Sequence, residues 1–152
     1  MKNDLLHAME RIIYGKYGKG GTREDGIISA EGFEFTKGSN NKAHELTLIF
    51  DKDNYRKISE VKDKKGGKSR EIQITDSDGK NPEIILSKAT SSYSNLIYEP
   101  TITFEKSWVY FRPDEKCLKI TLQLKAYFNE GREELEESLD TEITLRNYYE
   151  EN

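Results

Sequence analysis

"CLKITLQLKAYF", Cys117 to Phe128, decides the fold. Leu118, Ile120, Leu122, Leu124, Ala126 and Phe128 alternate without exception against Cys117, Lys119, Thr121, Gln123, Lys125 and Tyr127. A period of two puts the first set on one face of a β-strand and the second on the other, whereas a helix would scatter the apolar residues around its axis. The run is about twice as long as the usual five or six residues, so the strand must bend strongly or be shared between two sheets, as barrels and sandwiches require.

The flanking segments carry the same pattern. Upstream, "LIYEPTITFEKSWVYF" is extended, with Pro100 marking an edge or a bend, and "RPDEK" turns the chain into the long strand. "REIQIT" and "PEIILSKA" flank "DSDGKN", whose Asp-Gly pair favours a hairpin turn. "HELTLIF" places Leu46, Leu48 and Phe50 on one face, and "GIISAEGFEFT" reads as a strand interrupted at Gly32 as if by a bulge. "TEITLRNYY" supplies a last strand, preceded by the acidic excursion "NEGREELEESLD", read as one or two helical turns.

Two segments carry a helical period. Leu5, Met9 and Ile12, with Leu6 and Ile13 beside them and Asn3 or Asp4 to cap, predict an amphipathic helix ending at Tyr14. In "DKDNYRKISEVKDKKGG" Tyr55, Ile58 and Val61 line one side, Asp51 or Asp53 can cap and Gly66 can end, which predicts a second helix of about three turns. The expected fold is therefore mainly β: an antiparallel sandwich or barrel of about seven or eight strands, with an N-terminal helix and one short internal helix. A length of 152 residues suits one domain, divided into the helix (1–14), a glycine-rich connector (15–26) and a β-rich core (27–149).

Apolar and charged residues each make up 34%, so the core must be lean; one Trp, nine Tyr and six Phe compensate in part. A lone Cys117 makes no internal disulfide and reads as a half-buried thiol in a reducing compartment or an assembled particle. No run approaches the roughly 18 apolar residues of a spanning helix, and the start "MKNDLLHAMERIIYG" lacks the unbroken apolar centre of a signal peptide. Synthesis in the cytoplasm without membrane insertion is the expectation.

Chemistry-bearing motifs are incomplete. In "YGKYGKGGTREDG", Gly15 and Gly20 have phosphate-loop spacing, but Gly21 stands where lysine belongs, and the stretch follows a helix where a strand is required. "KKGGKS" has Gly67, Lys68 and Ser69 but Lys62 in place of the first glycine. "DSDG" begins like a calcium loop and then departs from it at Lys80, Asn81 and Ser87. His7 and His44 form no ligand or nucleophile pattern with Cys117, and Glu60-Val61-Lys62, which has the Glu-x-Lys spacing of metal-dependent nucleases, falls on the predicted internal helix. No enzyme, metal or cofactor is expected.

Charge is distributed unevenly around a net of −4. Basic residues concentrate at Lys16, Lys19 and Arg23 and again at Lys64, Lys65 and Lys68, while the C-terminal segment is acidic at Glu133, Glu134, Glu136 and Glu137. These ten residues are the candidate contacts. Opposite charge on two faces permits head-to-tail association into rings or filaments. Nucleic-acid binding through the basic segments and Tyr14, Tyr17 and Tyr55 is disfavoured by the overall acidity and the lack of a recognised motif.

The succession "HELTLIF", "DKDNYRKISEVKDKK" and "REIQITDSDGKNPEIILSKA", followed by long strands, resembles the tube-forming proteins of phage tails and related bacterial injection systems over roughly residues 44 to 128. The resemblance lies in element order. It implies a non-catalytic β-barrel or sandwich that assembles as a homo-oligomer or with other assembly proteins inside a virion or injection apparatus. The alternative is a small phage or bacterial inhibitor or immunity protein binding a single protein partner. Under the first reading helix 4–14 docks on a neighbouring subunit through a flexible glycine connector; a helix docked on its own sheet is equally compatible with the residues.

Overall fold

The structure, a computed structural model, describes residues 2–17, 20, 23–38, 42–64, 67, 69–87, 98–112, 115–130 and 133–146. Helix α1 (Lys2–Tyr14) leads into a small hairpin of β1 (Gly15–Tyr17) and β2 (Arg23–Asp25), then a 3-10 turn at Ile27–Ser29. The strands β3 (Gly32–Gly38), β4 (Lys42–Asp51), β5 (Asn54–Lys62), β6 (Ser69–Asp76), β7 (Glu83–Ser87), β8 (Tyr98–Arg112), β9 (Glu115–Glu130) and β10 (Glu133–Arg146) follow. They form one antiparallel sheet in the order β10-β9-β8-β4-β5-β6-β7, with β3 added on β4. The sheet curls into a half-barrel that brings β6 and β7 back against β8.

α1 lies across the open side of this curl. It touches β7 at one end of the sheet and both β9 and β10 at the other. The spacing of Leu5, Ala8, Met9, Ile12 and Ile13 explains why: all five are buried in the same apolar cluster as Leu46, Ile58, Ile72, Leu86, Phe104, Ile120, Leu122 and Leu124. Phe35 of β3 meets Phe104 of β8 edge to face, with ring centroids 6.5 Å apart. The helix therefore docks on its own sheet.

The glycine-rich stretch is a corner. Gly15 caps α1 at a positive φ of 87°, and a side chain there would collide with the Glu24 carbonyl. Gly26 presses against the backbone of Ile13 and Tyr14, so the β1–β2 hairpin folds back tightly on the helix end. The connector expected to be flexible is paired at Gly15↔Asp25, Lys16↔Glu24 and Tyr17↔Arg23.

Two predicted helical segments are strands. The internal helix does not form: residues 54–62 are β5, joined to β4 by a tight turn in which the Asp53 N–H donates to Asp51 Oδ1. Ile58 pairs with Leu46 and Ile74 on its two sides, and the branched Ile58 and Val61 suit that setting. The acidic excursion is likewise extended, as β10 pairs with β9 from Glu133↔Glu130 to Arg146↔Cys117. The β6–β7 hairpin forms over Asp-Gly as expected, with Gly79 at φ 71° and its N–H donated to the Asp76 carbonyl.

Candidate interaction surfaces

Strand β4 has β3 along one edge, from Ile49↔Gly32 to Ala43↔Gly38. Its other edge is divided. β5 pairs with residues 46–51, and β8 pairs with Lys42 and Ala43. Because Ala43 has Gly38 on one side and Phe104 on the other, β8 must lie on the β5 side, and the sheet forks there. Side chains close the fork. The Ile102 N–H donates to Glu60 Oε1 at 2.7 Å, and His44 Nδ1 lies 3.0 Å from the Ile102 carbonyl oxygen. A carbonyl only accepts, so Nδ1 carries a proton. Glu60 and His44 thus take the place of backbone pairing at Ile102. With Lys37 and Lys62 they line a hollow of about 310 Å³.

An ion network fixes the N-terminal elements to the other limb of the fork. Arg11 Nε reaches Glu83 Oε2 at 2.7 Å, and Lys16 Nζ reaches Glu83 Oε1 at 3.0 Å. Arg56 bridges Asp25 at 3.3 Å and Asp76 at 3.1 Å. The network satisfies Asp25, whose φ of 67° is unusual for a residue with a side chain, through both its carboxylate and its carbonyl. Burial alone would raise the Glu83 pKa, but hydrogen bonds and charge from Arg11 and Lys16 prevail and hold it below the ordinary carboxylate value.

The basic residues singled out in the sequence do not form one patch. Lys16 is committed to Glu83, and Arg23 stands opposite Tyr17 in the small hairpin. Lys64 is exposed in the β5–β6 turn. The hairpin abuts the Asp76 end of β6 and Lys64 the Ser69 end, separated by the strand's length of roughly 23 Å at about 3.3 Å per residue. Lys19, Lys65 and Lys68 fall outside the described residues.

The four glutamates all lie on β10. Glu133 and Glu134 stand opposite Glu130 and Asn129, Glu136 is exposed and ion-paired to Lys125 at 3.5 Å, and Glu137 is half-buried. Sequence reading passed over what surrounds them. β10 is 14 residues long and terminal in the sheet, and among the described residues no strand pairs with its outer edge. Leu139, Ile143 and Leu145 are only partly buried against the core. On the exposed face Glu142 pairs with Lys119 at 3.1 Å, while Asp140, opposite Gln123, has no ion pair among the described residues.

Other chemistry is sparse in these residues. His7 is exposed on α1. Glu60 and Lys62 share a strand, but one oxygen of Glu60 is occupied by the Ile102 amide. Among the described residues no group of three His, Cys, Asp or Glu is placed to hold a metal ion, and no helix is long and apolar enough to cross a membrane. No protein-family model matches the chain, and no curated protein or solved structure matches it significantly.

Proposed function

We propose that this chain is a structural assembly subunit, not an enzyme, and that it joins other copies of itself through the β8–β9–β10 limb of its sheet. One observation carries the reading: β10 ends the sheet as a 14-residue edge with no partner strand among the described residues and with a half-exposed apolar row. Natural sheets shorten, bend or cover such edges, because a row of free N–H and C=O groups is a template for another chain. The reading places the subunit in a ring or tube of the kind found in phage tails and related injection systems. Its support there is the order of long strands after residue 98.

Light scattering after gel filtration, over a range of protein concentration, tests it. Masses rising in steps above the 17.6 kDa of one chain are expected. A 17.6 kDa species at every concentration would overturn self-assembly and favour the reading as an inhibitor of a single partner.

A further inference from the structure

We infer that the outer edge of β10 accepts an extended segment in which apolar residues alternate with Lys or Arg, and that this segment is not the β10 of a second copy. The inference rests on the reading of β10 as the assembly edge and adds the chemistry of its occupant.

The strand already on the inner edge supplies the code. Across the β9–β10 ladder Leu124, Ile120 and Leu118 stand opposite Leu139, Ile143 and Leu145. On the other face Lys125 and Lys119 reach Glu136 and Glu142, each one diagonal step along the ladder. An added strand meets the same two rows from the other side. Its inward residues must be apolar to extend the partly buried row, and its outward residues must carry a cation for Asp140, a carboxylate with no ion pair among the described residues.

A second β10 fails this requirement. Pairing two copies antiparallel about Leu139 sets Glu136 against Glu142 twice, and the strand offers Arg146 as its single cation against six carboxylates. Like charges placed opposite each other destabilise a ladder. The edge therefore resists symmetric pairing with itself while remaining open to a basic strand, so contacts between copies through it are head-to-tail.

A fluorescein-labelled peptide of residues 118–126 carrying Gln123→Lys, LKITLKLKA, which sets a lysine opposite Asp140 in the register of β9, is the probe, titrated with the full-length chain and read by fluorescence polarisation. Saturable binding is expected, weakened at least about tenfold in 0.5 M salt. The same peptide with Glu in place of all three lysines should not bind. Asp140→Lys lies on an exposed position and should retain the native circular dichroism while weakening the peptide at least about tenfold. Equal binding of the two peptides, or unchanged binding to Asp140→Lys, would overturn the inference. The outcome separates from that of light scattering. Multimers that form without peptide binding would place assembly on another surface, and peptide binding by a lasting monomer would leave the edge chemistry standing without self-assembly.

Discussion

The two limbs of the forked sheet spend their charges differently. On the β5–β7 limb Arg11, Lys16 and Arg56 are matched to Asp25, Asp76 and Glu83, groups brought together from the helix, the small hairpin and three strands. Its terminal strand β7 has five residues and lies against α1. On the β8–β10 limb the strands run to 15, 16 and 14 residues, and ion pairs join the neighbours β9 and β10. One limb is held by charge to the helix and hairpin. The other carries its polarity to an edge that no described strand pairs.

Removing core volume should separate the seam from the outer edge most clearly. Phe104 is fully buried where β8 meets the body, and Phe104→Ala should cost about 3–5 kcal/mol by denaturant titration. Leu139 on β10 is half-buried, and Leu139→Ala should cost about 1 kcal/mol. Equal losses would mean that the edge row is as fully packed as the centre. A smaller effect is expected at the fork. Glu60→Ala strands the Ile102 amide and should cost about 1–3 kcal/mol, whereas Glu60→Gln keeps an acceptor and should cost less. Identical losses for the two would remove the hydrogen bond from the explanation.

The smallest effect concerns the ion network. Because folding depresses the Glu83 pKa, its contribution is fully present above the unfolded value of about 4.3 and is lost as pH falls through the lower folded value. Allowing for partial exposure, Glu83→Gln should cost on the order of 1 kcal/mol at neutral pH and flatten the loss of stability below that range. An unchanged acid limb would show that the network contributes little.

The same division explains what could be read in advance. β9 was legible because Ile120, Leu122, Leu124 and Ala126 are all apolar and buried, so its period is uninterrupted there. β5 was misread because Arg56 and Glu60 share the face of Ile58: one is used in the ion network and the other in the fork, and they erase the alternation that a strand normally shows. In β10 Glu137 and Thr141 interrupt the row of Leu135, Leu139 and Ile143, leaving a spacing of four that imitates a helix. The α1 stripe was legible as a helix, but its choice of sheet was not, since that depends on the curl. Nor does spacing announce that Lys16 meets Glu83 or that His44 meets Ile102. Charged residues facing inward were therefore the main source of misreading, and they are also the residues that define the fork and the network.

The fork has a mechanical consequence. Backbone pairing between the long limb and the rest of the sheet narrows, among the described residues, to Lys42↔Glu105 and Ala43↔Phe104, with the side chains of His44 and Glu60 bridging the next step. A neighbour pulling on β10 would transmit its tension through β9 and β8 into that seam. Stress would concentrate at the notch of the fork, as at the root of a crack, and α1, which touches β7 on one side and β9 and β10 on the other, would carry the rest of the load. Ala43 and Phe104 in that seam are fully buried, so the notch could not open without disturbing the core.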